Sequence, residues 1–135
     1  MLRDIKVKDK PWGREIWFAE TKDYAGKILE IKKGHRYSLQ YHEIKEETQY
    51  IRKGKVLLTY GENKDTLQEK VINEGECFHV KPFVIHRVEA LEDSEIFEVS
   101  TNKLDDVVKL DDDYGRSGKG NNEELDKELS QNINI

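Results

Sequence analysis

The chain has 135 residues, 38% of them charged and 36% apolar, with a formal net charge of −5. That is one domain, long enough for a real core but too short for two. The negative balance, with no Lys/Arg cluster, argues against a nucleic-acid binder, and no apolar run approaches membrane-spanning length. The opening Met1-Leu2-Arg3-Asp4 runs into polar sequence rather than a secretory leader, and Cys77, the single cysteine, allows no internal disulfide. The expectation is a cytoplasmic protein with neither nucleic-acid nor membrane partners.

In chain order, the first β-type runs are Glu15 to Phe18 and Gly26 to Ile31, the second ending at Lys33-Gly34. Thr48 to Arg52 stops at Lys53-Gly54, and Lys55 to Tyr60 stops at Gly61-Glu62-Asn63. Leu67 to Ile72, Cys77 to Val80, Ile85 to Leu91 and Ile96 to Ser100 complete the series. Short runs at nearly regular spacing, joined by glycine turns, predict an all-β sandwich or barrel, and no amphipathic helix interrupts them. The barrel is expected over residues 1–116, followed by a polar tail over 117–135. In that tail Leu125, Leu129, Ile133 and Ile135 are the only apolar points, so it reads either as a short surface helix or as a frayed end.

The stretch around residue 40 is too polar for its surroundings. Gln40 and His42 are two apart, so on a strand they leave by the same face. Four residues later comes Glu47, a gap that suits a tight turn and a return strand bringing the carboxylate beside the pair. His86, on a later strand, can complete the set. A carbonyl, two imidazoles and a carboxylate make a nitrogen/oxygen site for a divalent metal, with zinc first and manganese, iron, cobalt or nickel also suited. The plainer reading is four solvent-facing polar residues, and spacing alone does not decide between the two.

Longer motifs carry a resemblance. Gly34, Gln40, His42, Glu47 and Gly54 keep the spacing of the first cupin signature, with Gln40 where many cupins have a first His. Gly75, Lys81, Phe83 and His86 are similar in spacing to the second signature, with Lys81 in place of the usual Pro and Phe83 in place of the usual Gly. Lys10-Pro11-Trp12-Gly13, Ser38 to His42, Glu47, Gly54, His86-Arg87, Glu98-Val99 and Asp113-Tyr114-Gly115-Arg116 follow one another in order. Together, over about residues 8 to 116, they resemble the type II phosphomannose isomerase domain in stand-alone form. That domain is commonly fused behind a guanylyltransferase, and no glycine-rich nucleotide loop here implies the latter activity.

The resemblance implies a cupin-type β-jelly roll that interconverts mannose 6-phosphate and fructose 6-phosphate with a divalent metal. It assigns Gln40, His42, Glu47 and His86 as ligands, and Arg87 and Arg116 to the phosphate and the transition-state charge. The general base stays open among Glu98, Lys45 and a metal-bound hydroxide. Lys45, Gln49, Lys109 and Ser100 depart from the usual Arg, Trp, Arg and Gln, so the substrate is less fixed than the fold. Two other functions fit the same barrel: an epimerase or isomerase of nucleotide-linked sugars, and a non-enzymatic sugar-phosphate or metal-binding module. A homodimer is the family-level expectation.

The remaining chemical residues have ordinary readings. His35 reads as a solvated loop residue and His79 as a surface histidine. Cys77 reads as a small packing residue, Trp12 and Trp17 as packing anchors, and Asp111-Asp112-Asp113 as a solvated loop without calcium-ligand spacing.

Overall fold

The computed structural model describes residues 1–131. Twelve strands, β1 (Lys6–Lys10), β2 (Gly13–Glu20), β3 (Ala25–Ile31), β4 (Leu39–Tyr41), β5 (Glu47–Lys53), β6 (Lys55–Gly61), β7 (Gln68–Asn73), β8 (Cys77–Val80), β9 (Ile85–Ala90), β10 (Ser94–Ser100), β11 (Val108–Asp111) and β12 (Gly118–Lys119), precede one helix, α1 (Glu123–Ser130). They form two six-stranded antiparallel sheets, in the orders β1-β2-β3-β10-β5-β8 and β12-β11-β4-β9-β6-β7. All eight runs expected from sequence are strands; β1, β11 and β12 were not anticipated, being short and polar.

Alternation explains how the sheets share a core. On β3 the inward residues are Ala25, Lys27, Leu29 and Ile31, and on β10 Ile96 stands opposite Leu29. Trp12, Leu29, Ile31, Tyr37, Ile51, Val56, Leu58, Ile72, Val88, Ala90 and Ile96 form one buried cluster drawn from both sheets. Trp12 is therefore the packing anchor expected of it.

Chain crossings between the sheets place the functional residues. β4 and β5 lie in different sheets, so Glu47 is not on a hairpin return beside Gln40. Instead the turn between them crosses the barrel, held by Asp106, whose carboxylate accepts from the backbone N–H groups of Glu43, Ile44 and Lys45 at 3.1, 2.7 and 2.8 Å. The β5–β6 turn is a second crossing. There Gly54 has φ of 94°, and a Cβ would lie 2.4 Å from Ser94 Oγ and 2.7 Å from Asp93 O.

The segment expected as a tail forms β12 and α1. Asn122 caps the helix, its side chain accepting from the Leu125 N–H, and α1 packs on β1. Leu125 and Leu129 are half-buried, but the deepest helical residue is Asp126, 2% exposed. Ile133 and Ile135 lie outside the described residues. No described helix is long and apolar enough to cross a membrane.

Gly54→Ala combines a positive φ with a backbone collision. It is expected to lower stability by about 1–3 kcal/mol, read from the midpoint of urea unfolding.

Candidate metal centre

Gln40, at the middle of β4, is the cross-strand partner of His86 on β9, so both face the barrel interior. His42 follows β4 on the same side, and Glu47 opens β5 from the opposite sheet. His42, Glu47 and His86 are all buried, and one ligand atom from each lies within 4.8 Å of the others. His86 Nε2 is 3.0 Å and His42 Nε2 3.2 Å from the same atom, Glu47 Oε1.

The outer nitrogens decide what those contacts are. His42 Nδ1 lies 2.5 Å from the Asp106 carbonyl oxygen and His86 Nδ1 lies 3.0 Å from that of Val84. A carbonyl only accepts, so each Nδ1 carries a proton and each Nε2 is turned towards Glu47. Despite its 3.0 Å approach, His86 Nε2 makes no hydrogen bond of acceptable geometry among the described residues. Two imidazole nitrogens and a carboxylate oxygen converge on one buried point, a geometry that could hold a metal ion. A divalent metal satisfies all three donors, and the donor set suits one. Gln40 Oε1 accepts from Ser38 Oγ at 2.6 Å and keeps a second lone pair for the same face.

A row of alternating charges leads away from this cluster. Lys45 Nζ lies 3.2 Å from Glu47 Oε2 and 3.1 Å from Glu98 Oε2. Lys27 Nζ is 3.9 Å from Glu98 and 3.1 Å from Glu15 Oε1, which also accepts from the Trp17 indole N–H at 2.9 Å. Burial, reinforced by the Glu47 carboxylate, pushes Glu98 up to about 8. Burial alone would raise Glu47 as well, but the Lys45 ammonium and the hydrogen bonds around it hold Glu47 well below the usual range. Gln49 does not leave a gap where an aromatic residue was expected: its Nε2 donates to Glu98 Oε1 at 3.1 Å and fixes that carboxyl.

Glu15, Lys27, His42, Lys45, Gln49 and Glu98 line a cavity of about 50 Å³, together with Lys10, Lys109 and Arg116. Typical small-molecule sites hold roughly 300–1,000 Å³. Leu104, Val107 and Asn121, from the chain after β10, also line it, so the C-terminal segment covers the mouth.

The expected arginines are placed differently. Alternation along β9 turns Arg87 to the face opposite His86, where it donates to the carbonyls of Tyr37 at 2.9 Å and Asp111 at 3.1 Å. It does not reach the cavity. Arg116 does, but it is gripped by Asp112 through Nε (2.9 Å) and Nη2 (2.8 Å) and by Asp126 through Nη1 (3.2 Å).

The acidic run is likewise no solvated loop: Asp112 holds Arg116, and Asp113 binds Arg36 through two contacts of 2.7 and 2.8 Å. His35 is half-buried against Tyr114, whose hydroxyl is 2.7 Å from its Nδ1. His79 is exposed as expected, and Cys77 is exposed rather than packed, because the β5 pairing turns it to the outer face opposite Tyr50. Phe83, standing where glycine is usual, adopts φ of 67° and stacks on Tyr41.

Comparison with known proteins fits this geometry. The family model described as "Mannose-6-phosphate isomerase C-terminal" matches residues 4–112. The chain belongs to that family. Mannose-1-phosphate guanylyltransferase RfbM of Salmonella typhimurium is 24% identical over 119 residues, covering 84% of this chain and 24% of that protein. The chain thus spans about a quarter of that relative's length. Among solved structures, KdgF from Halomonas sp. has a TM-score of 0.64 at 18% identity, covering 75% of this chain and 87% of that one. Oxalate decarboxylase from Bacillus subtilis has a TM-score of 0.68 at 17% identity, covering 79% and 30%. These likenesses show the fold, a cupin barrel.

Within this mannose-6-phosphate isomerase family member, two tests follow from the geometry. His86→Ala is expected to weaken divalent-metal affinity by at least about 100-fold, read by metal analysis after loading and dialysis. Glu15 is held down at about 2: burial opposes this, but Lys27, Lys10 and the Trp17 N–H outweigh it. Its contribution is fully present above its ordinary value of 4.5 and is lost as pH falls towards about 2. Glu15→Gln is expected to remove on the order of 3 kcal/mol at neutral pH and to flatten the fall in stability across that window, in urea titrations at several pH values.

Proposed function

We propose that this domain catalyses metal-dependent aldose–ketose isomerisation of a hexose phosphate, with mannose 6-phosphate and fructose 6-phosphate as the first pair to test. The observation that carries the proposal is the convergence of the His42, His86 and Glu47 donors beside a buried Glu98–Lys45 pair. Family membership supports it, as does a relative named for the chemistry of a phosphorylated mannose. His42, Glu47 and His86, with Gln40 as a fourth donor, would hold a divalent ion. When bound, that ion supplies Lewis-acid polarisation of the sugar oxygens.

The chain's own residues manage the protons. Isomerisation moves hydrogen from C2 to C1 and a proton from the C2 oxygen to the C1 oxygen, through a cis-enediol. Glu98, at about 8, sits close enough to neutrality both to accept a carbon-bound proton and to return it. Lys45, 3.1 Å away, stabilises the carboxylate form, and Gln49 fixes its orientation.

The test is a coupled assay of metal-loaded protein across several hexose phosphates. Turnover of mannose 6-phosphate is expected, and Glu98→Gln should lower kcat by about 10²–10⁴-fold while leaving substrate binding in place. Binding without turnover under every common metal would make this a binding module. Turnover of nucleotide-linked sugars alone would move it to that class of enzyme.

A further inference from the structure

The cavity holds positive charge that the proton chemistry does not use. Lys10 at the end of β1, Lys109 on β11 and Arg116 all line it, and all three are buried. Lys10 Nζ donates to Asp126 Oδ2 at 2.8 Å, and Arg116 Nη1 to Asp126 Oδ1 at 3.2 Å. Lys109 Nζ donates to the Gly120 carbonyl and to Asn121 Oδ1, both neutral, and makes no ion pair among the described residues. Burial and the charges of Arg116 and Lys10 bring Lys109 down to about 8, as fits an ammonium in a positive recess.

Asp126 is an unusual partner. It belongs to an eight-residue helix at the periphery, yet its carboxylate is buried between two cavity cations. The exposed Lys8–Glu123 pair at 3.0 Å also ties α1 to β1. The cavity it helps close is far smaller than a sugar phosphate needs, so the cover has to move for any such ligand to enter.

We propose that Lys10, Lys109 and Arg116 form a binding site for a phosphate monoester, and that Asp126 of α1 occupies this site in the closed structure until the phosphate displaces it. The inference deepens the isomerase reading by assigning its phosphate group a place, but it can be tested without turnover. Charge accounts for the exchange. With Asp126 withdrawn, Lys10, Lys27, Lys109 and Arg116 are balanced by the carboxylates of Glu15 and Asp112. The surplus of two positive charges matches a phosphate monoester, which carries about −1.5 to −2 near neutrality. Arg116 offers Nη1, its Nε and Nη2 staying on Asp112, and the two lysines offer freely rotating ammonium groups, donors that a phosphate accepts from. A short helix has little stability of its own, so releasing Asp126 also releases α1.

The experiment uses the full chain and inorganic phosphate as the probe, at fixed ionic strength. Titration calorimetry is expected to show Asp126→Asn binding phosphate about tenfold more tightly than the unaltered protein. Adding Lys109→Met to that variant should abolish the gain. In the unaltered protein, saturating phosphate should speed hydrogen exchange of the α1 amides. Equal or weaker binding by Asp126→Asn, or phosphate binding that leaves α1 protection unchanged, overturns the proposal. Should Asp126→Asn fail to fold, Glu123→Ala loosens α1 from outside the cavity: tighter phosphate binding supports the inference and unchanged binding overturns it. Phosphate binding with release of α1 but no hexose-phosphate turnover would keep this site and remove the isomerase reading. Turnover with α1 protection unchanged would do the reverse.

Discussion

Positive and negative side chains alternate in one row through the barrel: Glu15, Lys27, Glu98, Lys45 and Glu47, ending on His42 and His86. Each is buried, and each depends on its neighbours for compensation, because an unpaired charge in this interior costs several kcal/mol. The row crosses between sheets: Glu15, Lys27, Glu98 and Glu47 stand on one, while His86 stands on the other. Apolar packing around Ile51, Val88 and Ile96 closes the barrel, but the charge row sets which interior face is chemical.

At its metal end the row is oriented by the backbone. The backbone carbonyls of Asp106 and Val84 accept from the imidazole Nδ1–H groups, which turns each Nε2 towards Glu47 Oε1. Asp106 therefore acts twice, through its carbonyl on His42 and through its carboxylate on the turn that carries Lys45. A second ionic group, Lys10–Asp126–Arg116–Asp112, ties the covering segment to the barrel. Glu15, Lys27, Lys45, Glu98 and His42 of the row and Lys10 and Arg116 of the second group line one cavity.

Much of this was legible in the sequence, for physical reasons that can be named. Period-two alternation and glycine turns reveal strands, and the spacing of Gln40, His42, Glu47 and His86 survives in the folded cluster. A further signal was present and passed over: Glu15, Lys27, Gln49 and Glu98 sit in phase with core residues on their strands. A charged residue in the core phase of a β-strand is either an error of register or a partner in a buried pair. The misplaced expectations all concerned what alternation does not report. Arg87 was assigned to the phosphate by the resemblance, although neighbours on a strand face opposite ways and it lies across β9 from His86. Cys77 was taken for packing because its strand is apolar, although it lies on the strand's outer face. Asp112 and Asp113 were taken as solvated although Arg116 lies only four residues on from Asp112; the partner of Asp113, Arg36, is far away in sequence.

By itself, then, the sequence determined the strand content and the family, because these depend on local periodicity and on the spacing of residues along one chain. Only the tertiary structure decided that Glu47 reaches the histidines from the facing sheet, that Arg87 points away, and that Asp126 pairs with Lys10 and Arg116. Those outcomes are set by which strand edges pair and where crossings fall, contacts between residues up to 116 positions apart. Pairing at such distances is chosen by the balance of buried charge across the whole barrel, and no local stretch of residues contains that balance.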